Sequence, residues 1–325
     1  MALKVALVGA GGMGDARHAP ALRRYADENP GAIELAGVAD MRADRVELFK
    51  EKFGFERGFE TAEQMLDALD LDACFVIVQY YHIASVAEQV LRAGVHCFME
   101  KPPGTTAEET QLLASLAEER GLTTQVGFNR RHMPATRAAE KWLAEKEVPI
   151  QAIRATKHRV NRINEPFAIY TSVHAVDLSC AFGGPVAEMH VVREALPYKL
   201  DVHNFWSTLH FVNGAVGHVS GLPDVGYHHE VYEFWTREGL LVVEHQAKPG
   251  NAPFRHYRGT ELIHDEPATT TDPIEVDGFA QQTAHFLEAV RDGQPGYPEV
   301  RETIEPLLLT QLTQEGKSWR QQHRF

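Results

Sequence analysis

Short apolar runs alternate with amphipathic stretches through roughly the first 125 residues. Leu3–Val8, Leu35–Ala39, Ala73–Val78, Val95–Met99 and Thr123–Val126 are nearly continuous in hydrophobic character and are predicted as strands. Strands apolar on both faces belong to a parallel sheet covered on each side by helices. The intervening helices are predicted over Arg42–Lys52, Ala62–Ala68, Ser85–Ala93 and Ala107–Glu119, with Gly94 and Gly121 at C-cap positions. Right-handed crossovers turn such an alternation into a doubly wound sheet, whose ligands bind beyond the carboxyl ends of the strands.

The pattern changes after Trp142. Pro149–Val160, Val186–Glu194, Phe205–Val212, Ala215–Ser220 and Glu230–Thr236 are predicted as strands, mostly without helices between them. Asn213-Gly214 joins two apolar runs and predicts a hairpin. One helix is predicted around Thr171–Phe182, ended by Gly183-Gly184-Pro185, and helices return at Asp277–Arg291 and Arg301–Arg320. The segment 246–276, rich in Pro, Thr, Asp and Glu, is predicted as an irregular excursion. The fold class is therefore α/β, with a doubly wound domain over 1–125 and an α+β domain with a large, open, mostly antiparallel sheet over 126–325. The helix 301–320 is expected to pack back on the first domain.

The length of 325 residues exceeds one ordinary core and agrees with two domains. A formal net charge of −13 opposes binding to nucleic acid or an anionic membrane surface. No apolar run reaches membrane-spanning length and no signal-peptide pattern opens the chain. Cys74, Cys97 and Cys180 show no C-x-x-C pairing. A reduced, cytoplasmic setting is expected, without a disulfide frame.

The first strand runs into Gly9-Ala10-Gly11-Gly12-Met13-Gly14, and the second ends at Asp40. In a Gly-x-Gly-x-x-Gly turn the first glycine permits the tight bend, the second lets a pyrophosphate approach, and the third lets helix pack on strand. The helix N-terminus presents N–H groups to phosphate, and an acid at the second strand's end accepts ribose hydroxyls. Arg42 follows closely and suits a 2′-phosphate, which Asp40 repels, so NAD is expected ahead of NADP. After the strand ending at Met99 come Glu100-Lys101-Pro102-Pro103-Gly104, which place a lysine on the ligand-binding edge. The Lys101–Pro102 bond is a candidate cis peptide. Facing a nicotinamide ring, Lys101 can exchange a proton with a substrate hydroxyl, provided burial or a nearby positive charge lowers its pKa. The alternative is a solvated loop lysine.

The glycine turn, the acid-ended second strand, Ala93-Gly94-Val95-His96 leading into Glu100-Lys101-Pro102, and Val126-Gly127-Phe128-Asn129-Arg130-Arg131 resemble the glucose–fructose oxidoreductase, inositol dehydrogenase and MocA family. The resemblance covers the whole chain in order, densely over 1–135 and thinly afterwards. It implies a nicotinamide-binding domain, an open-faced sheet domain, sheet-to-sheet homodimers or homotetramers, and hydride transfer to or from a sugar, polyol or related carbon. The family's second catalytic element reads Asp-x-Gly-x-His-x-x-Asp; the run here is Tyr170-Thr171-Ser172-Val173-His174-Ala175-Val176-Asp177. His174 and Asp177 match, three residues apart on one helix face. His174 is thereby implied as general acid/base or hydroxyl ligand, with Asp177 orienting it or remaining structural. Tyr170 replaces the first family Asp and either joins the proton relay or shapes the pocket wall.

The candidate catalytic residues are Lys101, His174, Tyr170 and Asp177. The candidate cofactor residues are Gly9, Gly11, Gly12, Met13, Gly14, Asp40, Arg42, Gln79, Glu100 and Lys101. The candidate substrate residues are Lys101, Tyr80, Arg130, His158 and His174. Tyr80 and Tyr81 follow the strand Ala73–Val78, near nicotinamide or substrate or simply packed. Arg154, Lys157, His158, Arg159 and Arg162 form the one dense basic stretch; strand alternation sends Arg154, Thr156 and His158 to one face, Lys157 and Arg159 to the other. A solvated or oligomer-facing surface is expected there ahead of an anion contact. His228-His229-Glu230 points its two imidazoles to opposite faces, and His174 with Asp177 supplies too few ligands for zinc, so no metal is expected. Two readings compete with a dehydrogenase: a nucleotide- or sugar-sensing regulator and a redox-neutral NAD-dependent glycosidase.

Overall fold

The computed structural model describes residues 2–245, 254–268 and 270–321. They divide into two compact units, Met1–Asn129 with Gly278–Ile304, and Arg130–Asp277 with Glu305–Phe325. The boundary expected after residue 125 thus falls after Asn129, and a later segment rejoins the first unit.

The first unit is built on six parallel strands: β1 (Leu3–Val8), β2 (Ile33–Ala39), β3 (Arg57–Phe59), β4 (Ala73–Val76), β5 (His96–Met99) and β6 (Thr124–Val126), in the order β3-β2-β1-β4-β5-β6. This is the doubly wound order expected, with its switch point between β1 and β4. The short strand β3 carries no apolar run and escaped the sequence pattern. Its register is set by pairing with Gly37–Ala39. The core explains the continuous apolar strands: Phe75 of β4 stacks on Phe98 of β5 at 4.7 Å, and Phe286 meets Phe75 edge-on at 5.3 Å. Phe286 belongs to the helix Phe279–Asp292, which gives the first unit its returning segment.

The ladder runs one step past the strands and lines up the carboxyl edge. Gly9 N–H donates to Ala39 O, Ile77 N–H to Val8 O, Glu100 N–H to Val76 O and Gly127 N–H to Met99 O, all at 2.8–3.0 Å. Strand β4 ends two residues earlier than predicted. The helix Tyr80–Arg92 starts directly after Gln79, so Tyr80 and Tyr81 lie in a first helical turn and not on a strand end.

The second unit carries nine strands: β7 (Ile150–His158), β8 (Val186–Leu196), β9 (Lys199–Phe211), β10 (Val216–Leu222), β11 (His229–Thr236), β12 (Gly239–Glu244), β13 (Phe254–Arg258), β14 (Glu261–Glu266) and β15 (Trp319–Arg320). Their order is β14-β13-β12-β11-β7-β10-β9-β8-β15, antiparallel except where β7 meets β10. Asn213-Gly214 makes the β9–β10 turn, with Gly214 at φ 90° and Asn213 Oδ1 accepting from Ala215 N–H at 3.0 Å. The helix Val173–Gly183 covers one sheet face; its Ala175, Val176 and Leu178 share a core with Ile153 and Ala155 of β7.

Two expectations fail here. Within the segment 246–276, expected to be irregular, β13 and β14 extend the sheet; residues 246–253 and 269 lie outside the described residues. The helix predicted to Arg320 stops at Glu315, and Trp319–Arg320 instead pairs with β8. From Glu305 onward that helix belongs to the second unit, where Leu309 joins the core and Thr313 Oγ1 lies 3.0 Å from Ser207 Oγ.

Candidate functional site

The glycine turn sits at the switch point. Gly9 adopts φ 103°, and a Cβ there would lie 2.2 Å from Ile77 O; at Gly14 one would lie 2.7 Å from Gly9 O. Neither position admits another residue without backbone movement. Gly11 and Gly12 differ: a Cβ on either meets nothing within 4 Å. The protein's own packing leaves that side of the loop open, as a pyrophosphate cradle requires. The helix begins at Gly12, passes through a π-helical turn over Gly14–His18 and continues as Ala19–Glu28. The N–H groups of its first turn lack intrahelical acceptors, the property that lets a helix N-terminus take an anion. Exposed Met13 lies in that first turn.

Asp40, at the end of β2, is locked into the loop. Its Oδ2 accepts from Ala10 N–H at 2.8 Å, and Oδ1 accepts from Arg42 N–H at 3.0 Å and Arg42 Nε at 3.3 Å. Arg42 is thus drawn onto Asp40. Arg45 was missed by the sequence reading: its Nε donates to Ala10 O at 2.8 Å and its Nη2 to Asp15 at 2.9 Å. Lys52 joins at 2.6 Å, and these two cations hold the Asp15 carboxyl below its usual range.

Glu100 and Lys101 follow β5, and the Lys101–Pro102 bond is cis. Glu100 is buried. Its Oε1 lies 2.7 Å from His18 Nε2, and its Oε2 accepts from Lys101 N–H at 2.9 Å. Burial raises this carboxyl, but the His18 hydrogen bond and the neighbouring charges outweigh it and hold the group below the usual range. Gln79 caps the helix Tyr80–Arg92, its carbonyl accepting from His82 N–H at 2.8 Å. Tyr80 and Tyr81 meet edge-on at 5.3 Å.

In the second unit, Tyr170 lies in a π turn, Ala168–Ser172, that leads into the helix carrying His174 and Asp177. His174 is buried. Asp177 does not serve it. Both Asp177 oxygens are taken by Arg131, at 2.9 and 2.7 Å, inside the core. Burial raises the Asp177 carboxyl and Arg131 opposes the rise. Of the two expectations for Asp177, this geometry fits the structural one. Arg130, expected to meet substrate, instead pairs with Glu230 through Nε at 2.7 Å and Nη2 at 3.3 Å.

The basic stretch divides: Arg154 and Arg162 are exposed, as a solvated surface requires, and Lys157 is not. Lys157 is 2 % exposed and lies 2.7 Å from Glu230, with which it is in register across β7 and β11. Arg159 reaches the same carboxylate, as do His245 Nδ1 at 3.2 Å and Tyr232 OH at 2.8 Å. Burial would raise Glu230; Arg130, Lys157 and His245 hold it well below the usual range. Lys157 shares parity with core residues Ile153 and Ala155, so the cluster lies on the helix-covered face. His158 points the other way and hydrogen-bonds Ser220 Oγ at 3.1 Å. Burial, His229 and Arg159 pull its imidazole down to about 4. The sheet therefore separates His158 from the face covered by the His174 helix, against its expected place with the substrate residues.

Comparison with known proteins agrees with this fold. A family model described as "Oxidoreductase family, NAD-binding Rossmann fold" matches residues 3–128. The chain is 23% identical over 298 residues to UDP-N-acetylglucosamine 3-dehydrogenase of Acidithiobacillus ferrooxidans, covering 90% of each. It is 33% identical over 133 residues to the rhizopine catabolism protein MocA of Rhizobium meliloti, covering 40% of this chain and 39% of that one. The solved levoglucosan dehydrogenase in complex with NADH and levoglucosan superposes with a TM-score of 0.83 at 19% identity, covering 97% of each chain. No helix among the described residues is long and apolar enough to cross a membrane. The matched span takes in the glycine turn and the Glu-Lys-Pro corner, and over residues 3–128 the chain is similar to the Gfo/Idh/MocA oxidoreductases with their NAD-binding Rossmann fold.

Proposed function

We propose that this dehydrogenase oxidises a secondary hydroxyl of a carbohydrate or polyol, or reduces the matching ketone, with NAD. The observation that carries the reading is Lys101, held at the carboxyl edge of β5 beside the buried Glu100. The curated relatives point to the substrate class: besides UDP-N-acetylglucosamine 3-dehydrogenase, levoglucosan dehydrogenase of Pseudarthrobacter phenanthrenivorans and D-glucoside 3-dehydrogenase of Escherichia coli carry sugar names.

In this reading Gly11, Gly12 and the first turn of the helix after them hold the pyrophosphate of NAD, and Asp40 receives the adenosine ribose and disfavours a 2′-phosphate. The bound nicotinamide supplies a hydride acceptor and a positive charge. Lys101 takes the hydroxyl proton as the C–H bond breaks, and returns it in the reverse direction. His174 hydrogen-bonds the reacting hydroxyl or its neighbour. Tyr170, four residues before His174, shapes the pocket wall. Arg131 fixes the helix that presents them by holding Asp177. The uncovered face of the second sheet exposes Val192, Trp206 and Trp235 and is proposed to meet a second copy of the chain.

The test is a panel of polyols, sugars, sugar acids and nucleotide sugars, offered with NAD or NADP and read by reduced-nicotinamide absorbance. Net NADH release with one sugar class, and with NAD ahead of NADP, is the expected result. Absence of turnover across the panel would overturn the reading.

A further inference from the structure

His18 stands one helical turn past Gly14 and has no part in the reaction as described. It is fully buried, with its ring 5.4 Å from Phe98 and 5.4 Å edge-on from Phe279. Its Nδ1 has no hydrogen-bond partner among the described residues. Nε2 is therefore its one polar contact, 2.7 Å from Glu100 Oε1. A polar ring between two phenyl rings is costly unless that bond is kept. The other Glu100 oxygen accepts the Lys101 backbone N–H at 2.9 Å, while Glu100 N–H is fixed to Val76 O at 3.0 Å.

We infer that His18 is a positioning residue: through Glu100 it fixes the backbone from which Lys101 reaches the reacting hydroxyl. The inference rests on the assignment of Lys101 as the proton-transfer group. The geometry has a local cause. A π turn carries one more residue than an α turn, and here it spans Gly14–His18, which brings His18 onto the inward face. The helix that opens at the glycine turn and the corner that carries Lys101 are thereby joined by one buried hydrogen bond. His18 and Lys101 are the charged or titratable groups that act on Glu100.

The experiment compares His18→Leu and His18→Gln, each alone and combined with Lys101→Met, using the sugar that the wild type turns over best. His18→Leu is expected to lower kcat by up to about 100-fold, the scale of a misplacement near 1 Å. NADH affinity, read by fluorescence, is expected to hold. His18→Gln, which keeps a donor, is expected to recover most of the rate. On the Lys101→Met background His18→Leu is expected to add nothing, because the two act as one unit. Equal losses on both backgrounds, NADH affinity falling in step with kcat, or an unchanged kcat would each overturn the inference. Should His18→Leu not fold, His18→Asn, too short to reach Glu100, carries the same expectations. If the wild type turns over no sugar, the proposed reaction fails by itself. Crystal structures of wild type and variant then decide on positioning: loss of the Lys101 N–Glu100 bond supports it, and retention overturns it.

Discussion

Glu100 in the first unit and Glu230 in the second are both buried, and the two are treated differently. Glu100 in the first unit has one side-chain partner, His18, and gives its second oxygen to a backbone N–H. Glu230 in the second is surrounded by Arg130, Lys157, Arg159, His245 and Tyr232. A carboxylate with so many partners cannot change state without breaking several bonds; it welds β7, β11 and the turn after β6 together. A carboxylate with two leaves its corner open to a ligand. The difference sets Glu230 in the frame of its unit and fits Glu100 to the proposed working site.

The comparison breaks most visibly at Glu230. Glu230→Gln leaves three cations without their anion and should cost about 3–5 kcal/mol, read as a fall in Tm. Its acid dependence follows from the depressed pKa. The stabilisation is complete above the ordinary carboxyl value of 4.5 and is lost as pH falls through the lower folded value. Wild-type Tm should therefore fall more steeply below pH 4.5 than that of the variant. At the other corner Lys101→Met should lower kcat by about 10²–10⁴ while leaving Tm nearly unchanged, the reverse signature. Gly9→Ala sharpens the view of the working site. Its strained φ and the contact with Ile77 O should cost about 1–3 kcal/mol of stability and raise the NADH dissociation constant. Arg42→Ala should be the mildest, altering NADH affinity by about 0.5 kcal/mol or less, since the Arg42 side chain is largely exposed. A large NADP preference appearing in either direction would contradict that placement of Arg42.

What was legible in the sequence follows the same division. The glycine turn, Asp40 and the Glu-Lys-Pro corner are read from consecutive residues, because strand ends and tight turns are local events. His18 was within reach of the same reading, as a polar residue in line with the apolar Ala21, Leu22 and Tyr25 of the following helix. The Glu230 cluster was not, because it depends on Lys157 and Glu230 meeting in register across two strands far apart in the chain. Nor were β13 and β14: Glu261–Glu266 is exposed throughout and shows no apolar alternation. Asp177 illustrates the limit of motif matching. Its spacing from His174 fits a catalytic pair, but Arg131, a neighbour only in space, claims both oxygens.

The strand β7 lies between β10 and β11 and meets β10 in parallel. On one flank β8, β9 and β10 form an antiparallel meander; on the other β11 to β14 form a second. The first meander can zip from its own short turns, while the strand that unites the two leaves the ribosome before either and must wait for both. The seam of the large sheet is thus its earliest-made part and is closed only after β10 and β11 have emerged. It is closed late because its partners are distant, and contacts of long sequence separation slow folding. Chaperone demand during synthesis should centre on residues 150–158 rather than on either flank.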